Sequence, residues 1–210
     1  MLNLMKKYEP QVYSDIILND PNGTNDAILL QIADGRSAPN LLLFGPAGTG
    51  KSALARAIAK SFFHSHGDND GYLERCNLLN RDHFERIKSG VGLNKLNNSQ
   101  HQWVIFDEAD KAPTAVMNEL YEVLEHSPNT SFVLTTNHLG NFPQPIQDRC
   151  QAIEINPPTP LQFLPRAIQI ADMENCKASA NDILATISSG ENTIRSYMRG
   201  LEAHILAMRR

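Results

Sequence analysis

Gly45-Pro46-Ala47-Gly48-Thr49-Gly50-Lys51-Ser52 fits the pattern G-x-x-x-x-G-K-[ST] in full. Glycines at these places let the backbone curl so that its N–H groups point inward. A helix starting near Lys51 adds its positive end where an anion would lie. Lys51 is placed to reach β- and γ-phosphates, and the Ser52 hydroxyl to coordinate Mg²⁺. The loop therefore predicts that ATP is held with Mg²⁺ along residues 45 to 52. A second group of chemistry-bearing residues follows an apolar run, in Val104-Ile105-Phe106-Asp107-Glu108-Ala109-Asp110. Carboxylates at the carboxyl end of a buried strand stand where open α/β sheets bind ligands. Asp107 is expected to hold Mg²⁺ through water, and Glu108 to orient and polarise an attacking water. Asp110 reads as a helix-end or solvent charge.

These residues need a scaffold, and the surrounding pattern supplies one. Leu41-Leu42-Leu43-Phe44 is a short apolar run that stops at Gly45-Pro46, as a strand buried on both faces would. Beyond Lys51, Leu54, Ile58 and Phe62 recur with helical spacing, while Arg56 and Lys60 fall off that stripe. Similar runs at Trp103 to Phe106, Phe132 to Thr135 and Ala152 to Ile155 predict further strands, with a helix from about Thr114 to Glu125 between the first two. Gly71 to Cys76 is placed as a strand by the rhythm of the pattern. Alternating strands and helices predict an α/β core around a parallel five-stranded sheet with helices on both faces.

The character changes at Asn156-Pro157-Pro158-Thr159-Pro160, a stiff stretch that cannot continue a strand. The division expected is an α/β core over residues 1–156 and a helical lid over 157–210. Thr159 with Gln162 resembles a capping box, and Ile194, Met198, Leu201, Ile205 and Met208 form an apolar stripe. With 41% hydrophobic residues in 210, the chain has enough apolar material for a packed core. A formal net charge of −4 provides no global basic field, so contact with nucleic acid would need a local or oligomer-built patch. Cys76, Cys150 and Cys176 are too widely spaced for a disulfide framework or a Cys-x-x-Cys zinc site. MLNLMKKYEP holds no run long enough for a signal peptide or membrane span, so the expectation is a soluble, cytoplasmic chain with no membrane partner.

Taken together, these motifs resemble AAA+ ATPases of the clamp-loader type, similar to replication factor C small subunits and bacterial clamp-loader subunits. Lys7-Tyr8-Glu9-Pro10 and Asp15-Ile16-Ile17 are similar to that family's N-terminal stretch, which implies contacts near the adenine. Thr135-Thr136-Asn137 resembles the sensor 1 strand end, where an asparagine helps position the hydrolytic water. Gln144 to Cys150 resembles the Pro-Ile-x-Ser-Arg-Cys motif, which makes Arg149 an arginine finger reaching the ATP of the next subunit. Gly190 to Glu202 is similar to the sensor 2 helix and maps Arg195 onto the arginine that touches the γ-phosphate. By spacing alone, Arg149 would be a surface ion-pair partner and Asn137 a turn residue. The resemblance implies AAA+ neighbours in a homo- or hetero-oligomer, with a sliding clamp and primer-template DNA as partners.

Glu9 stands where the family has arginine, Asp148 where it has serine, and Leu120-Tyr121 where a basic pair is common. A collar domain is expected to be absent, since the sequence stops at Arg210 after the lid. Rival readings are an initiator, helicase-loader or remodelling ATPase, and a scaffold that binds ATP to assemble with little hydrolysis. His64, His66, Asp68 and Asp70 read as a polar loop rather than a metal site, and Cys76 and Cys150 as buried small residues. Arg81, Arg86 and Lys88 lie on an expected helix, either facing DNA or as a solvated charged face.

Overall fold

A computed structural model describes residues 3–68, 72–76, 81–90 and 96–209. Among them, β1 (Leu41–Phe44), β2 (Tyr72–Cys76), β3 (Gln102–Phe106), β4 (Thr130–Thr136) and β5 (Gln151–Glu154) form one sheet in the order β2-β3-β4-β1-β5. Every neighbouring pair is parallel. Gly71, expected to open β2, and Asp70 lie outside the described residues, as do the side chains of Arg81 and Cys76. The helices are α1 (Leu4–Lys7), α2 (Thr24–Ala33), α3 (Lys51–Ser65), α4 (Arg81–Gly90), α5 (Thr114–His126), α6 (Gln144–Gln147), α7 (Pro160–Met173), α8 (Ala180–Ser188) and α9 (Ile194–Met208).

Side chains of a strand alternate between faces, and the short apolar runs use both. Leu42 packs with Val104, Phe106 and Leu134 under the α5 residues Val116 and Leu120. Leu41 and Leu43 point the other way, with Ile105 and Val133, against Leu54 and Ile58 of α3. Each such aliphatic side chain, fully buried, contributes about 1.5–3 kcal/mol. That two-sided burial fixes where β1, β3 and β4 end, and those ends carry the chemistry.

A third cluster joins Phe163 and Ile170 of α7, Ile187 of α8, and Tyr197, Leu201 and Ile205 of α9. The Thr159 hydroxyl accepts the Gln162 N–H at 3.2 Å, and the Gln162 amide oxygen accepts the Thr159 N–H at 2.8 Å, so α7 starts with a complete capping box. Met208, expected on the apolar stripe of α9, is 56% exposed. The last turn of α9 passes beyond the cluster, whose apolar contacts reach Ile205.

The N-terminal segment ties the third cluster to the sheet. Leu4 of α1 is buried in that cluster. Lys7 Nζ and Tyr8 Oη both donate to Glu174 Oε1, at 2.6 and 2.7 Å, and Arg209 Nη2 donates to Glu174 Oε2 at 2.7 Å. The Glu174 side chain is only 3% exposed, and its bonds from Lys7, then Tyr8 and Arg209, draw its carboxyl down to about 2. Immediately afterwards Glu9 pairs with Arg56 of α3, and Lys60 Nζ donates to Gln11 Oε1 at 2.6 Å. The two α3 cations off the apolar stripe thus hold the segment down.

Candidate active site

The loop after β1 is shaped by glycines with left-handed backbone: φ is 141° at Gly45, 80° at Gly48 and 95° at Gly50. All three are also crowded, a Cβ at Gly50 lying 3.2 Å from Ile194 Cδ1. A Cβ at Gly45 would lie 2.3 Å from the Ile155 carbonyl oxygen, and one at Gly48 would lie 3.3 Å from Arg195 Cβ. Pro46, Ala47 and Thr49 complete the curve, with Thr49 Oγ1 donating to the Pro46 carbonyl at 3.0 Å. Gly50 caps α3 without a side-chain bond, so the first-turn N–H groups are left for another acceptor. Ser52 stands half-buried in that first turn.

Lys51 is 8% exposed. Its Nζ donates to the carbonyls of Gly45 and Pro46, both at 2.8 Å, and to Asn137 Oδ1 at 2.9 Å. Among the described residues these acceptors are neutral, so a buried cation sits in the loop without a carboxylate bonded to it. Burial lowers its pKa, and the nearby Arg195 charge lowers it further. The Arg195 N–H donates to the Gly48 carbonyl at 3.3 Å, which sets the first turn of α9 against the loop. Two cations therefore converge on one curl of backbone, an environment that an incoming polyanion relieves.

The acidic pair is fastened to β4 by Thr135. Thr135 Oγ1 accepts the Glu108 N–H at 3.0 Å and donates to Asp107 Oδ1 at 3.4 Å. Glu108 takes a left-handed conformation, φ 51° and ψ 45°, which turns the chain out of β3. Such backbone costs about 1–3 kcal/mol and persists where surrounding bonds hold it. The Glu108 side chain is 61% exposed and paired with Lys111 Nζ at 2.5 Å. Asp110 accepts from Asn141 Nδ2 at 3.2 Å.

These ends border a cleft of about 340 Å³, lined by loop residues 47–52, Glu108, Asn137 and Arg195. Its other wall is more apolar, with Ile16, Ile17, Phe163, Ile170 and Met198 beside Tyr8. A charged floor with an apolar slot suits a phosphorylated nucleotide with a flat base.

Arg149 is elsewhere. The Asn40 amide, immediately before β1, donates to the Arg149 carbonyl at 3.4 Å, whereas the phosphate-type loop leaves the opposite end of the same strand. The guanidinium rests on α5, 3.9 Å from the Tyr121 ring centroid, paired with Glu125. The fold thus brings the loop, Glu108, Asn137 and Arg195 together and leaves Arg149 on the far side of the sheet.

The family model described as ATPase family associated with various cellular activities (AAA) matches residues 41–158. The chain belongs to this family. Replication factor C subunit 4 of Encephalitozoon cuniculi is 28% identical over 208 residues, covering 96% of this AAA chain and 64% of that protein. The replication factor C small subunit of Natronomonas pharaonis is 29% identical over 206 residues, covering 95% and 61%. The chain spans less than two thirds of the length of these relatives. The Thermotoga maritima RuvB Holliday junction branch migration motor aligns with a TM-score of 0.71 at 20% identity, over 93% of this chain and 64% of that one. At that identity the likeness speaks for the fold alone. Among the described residues, no helix is long and apolar enough to cross a membrane.

Several residues at or behind the AAA site are not marked by motif spacing. Thr135 lies in the stretch that resembles sensor 1, but its bonds to Asp107 and to the Glu108 N–H have no sequence signal. Arg166, which lines the cleft, has no signal either; it extends from α7 to donate to the Tyr8 carbonyl at 3.5 Å. Outside the site, Asp68 accepts the N–H groups of Asn98 at 2.7 Å and Ser99 at 3.1 Å, pinning a loop. Lys88 of α4 pairs with Glu119 at 3.1 Å, while Arg86 is exposed. Cys150 is half-buried, and burial pushes its thiol up to about 12.

Proposed function

We propose that this chain hydrolyses ATP as one subunit of a clamp-loader-like AAA+ assembly acting on DNA or a DNA-bound partner. The observation that carries the nucleotide chemistry is Lys51: a buried cation bonded to neutral oxygens, at an uncapped helix start and beside Arg195. In this reading the N–H groups of residues 45–52, Lys51 and Arg195 bind the phosphates, and the apolar wall takes the base. Ser52 and Asp107 offer the hard oxygen donors that a Mg²⁺ ion takes while keeping several waters. The ion, when bound, neutralises charge on the β- and γ-phosphates.

Glu108 is the base. Turning from Lys111 toward the cleft, its carboxylate accepts a proton from water as that oxygen forms a bond to the γ-phosphorus and the bond to the β-phosphate oxygen breaks, giving ADP and phosphate. Asn137 positions that water. The working division is a core over residues 1–156 and a lid over 157–210, with α9 bringing Arg195 to the loop. The clamp, the primer-template DNA and AAA+ neighbours are proposed from the similarity to replication factor C subunits.

The position of Arg149 supports an assembly, because the finger stands at the wrong end of β1 for its own cleft. A finger supplied by a partner is worth roughly 10³ to 10⁵ in rate. The test mixes an Arg149→Ala chain, which keeps its cleft, with a Lys51→Ala chain, which keeps its finger. Each alone should turn over little ATP, and the mixture should regain part of the activity. Wild-type turnover per chain should also rise with protein concentration. Turnover independent of concentration, with an inactive mixture shown by mass to co-assemble, would defeat the proposal.

A further inference from the structure

The surroundings of Arg149 carry a further step that rests on the trans-finger reading. All three guanidinium nitrogens are engaged within the chain. Nε donates to Glu125 Oε2, Nη2 to the Tyr121 hydroxyl, and Nη1 to the Pro145 carbonyl at 3.1 Å. The Tyr121 ring covers one face at 3.9 Å from its centroid. The backbone below is pinned, since Asn40 Nδ2 donates at 3.4 Å to the carbonyls of both Arg149 and Leu124, the latter on α5. Only the side chain is free to change partners.

A guanidinium that stabilises a γ-phosphate needs its terminal N–H groups and its uncompensated charge. Here Pro145 and Tyr121 take bonds from the two terminal nitrogens, and the Glu125 carboxylate offsets the charge. Carrying that carboxylate to a neighbour's triphosphate would set like charges together. We infer that Tyr121 and Glu125 stow Arg149 against α5 in the free chain, and that completing a neighbour's ATP site requires the arginine to leave them. The latch is weak enough to open: the Arg149 and Glu125 side chains are 26% and 41% exposed, so water and salt screen the pair. Tyr121, one of the positions where the sequence departs from the family's basic pair, supplies both the stacking face and one acceptor.

The test places the change on one side of the mixed assembly at a time. Arg149→Ala chains, held at fixed concentration, accept a finger from titrated Lys51→Ala donors, and ATP turnover is followed as co-assembly is read by native mass measurement. Glu125→Gln on the donor should lower the donor concentration for half-maximal recovery by about two- to fivefold, the range for losing a partly exposed ion pair. Tyr121→Phe on the donor, which keeps the ring and removes the acceptor, should shift it in the same direction by less. Glu125→Gln on the acceptor, which has no finger to release, should leave the curve unchanged. An unchanged or right-shifted donor curve overturns the stowing contact, since a residue that positions the finger for use would slow recovery when altered. Equal effects on donor and acceptor overturn it as well, assigning Glu125 to stability. Failure of the unmodified pair to recover defeats the trans finger itself, and the latch falls with it.

Discussion

Replacing Glu174 by glutamine tests how the N-terminal segment is held, and its size follows from the geometry. The carboxylate is 3% exposed and takes bonds from Lys7, Tyr8 and Arg209, which draw it from an ordinary 4.5 to about 2. At about 1.4 kcal/mol per pH unit, that difference is worth at most about 3 kcal/mol at neutral pH. The folded value lies below the unfolded one, so as pH falls the unfolded chain takes up the proton first. The contribution is therefore whole above about pH 4.5 and disappears as pH approaches 2. Linkage leaves about 2 kcal/mol of it at pH 3.5. In urea unfolding, Glu174→Gln should lose about 1–3 kcal/mol at pH 7, and its deficit against wild type should shrink by about 1 kcal/mol at pH 3.5. A deficit of the same size at both pH values would show that the glutamine merely packs badly. No deficit at pH 7 would show that the three donors are equally well served by water.

Lys51→Ala should weaken ATP binding by about 2–5 kcal/mol, roughly 30- to 5,000-fold, because it removes a buried charge facing the phosphates; calorimetric titration of the isolated chain measures this, and unchanged affinity would refute it. Glu108→Gln should keep ATP affinity while lowering kcat by about 10²–10⁴, and equal losses in binding and turnover would remove Glu108 from the base role. Gly45→Ala puts a methyl group 2.3 Å from the Ile155 carbonyl oxygen at a φ of 141°, so unfolding stability should fall by about 1–3 kcal/mol with ATP affinity falling alongside. Wild-type stability in that variant would mean that the loop has room to shift.

The legible parts of the sequence were those whose cause is local. Gly45 to Ser52 is recognised within eight positions, since the glycine spacing, the cation and the hydroxyl act through one turn of backbone. Leu41 to Phe44 and Trp103 to Phe106 read as buried strands because both faces of the sheet are covered. The Thr159–Gln162 box was visible for the same reason, its partners standing three positions apart. What escaped depends on contacts between distant residues. Tyr121 and Arg149 are 28 apart in sequence, and Lys7 and Glu174 are 167 apart, so no period or spacing marks them. The exposure of Met208 was hidden too: periodicity gives the face of a helix but not where its partner helices stop.

The parallel sheet itself explains why the cleft and the proposed finger of one chain lie at opposite ends. With every pair parallel, the ends of β1, β3 and β4 open on one side, where residues 45–52, Asp107-Glu108 and Asn137 gather. The segment leading into β5 must then enter from the opposite side, and that is where Arg149 is anchored by Asn40. Helix α5 follows the acidic pair at its start and presents Tyr121 and Glu125 to Arg149 toward its end. A change in how Glu108 and Lys111 sit at one end of the sheet therefore has a rigid element through which to reach Arg149 at the other. That connection is physical only if α5 has two positions. Glu108→Gln donors, which keep nucleotide binding and the arginine but turn over little, preloaded with ADP or ATP and mixed with ATP-loaded Arg149→Ala chains in single turnovers, would reveal them as two different half-maximal concentrations.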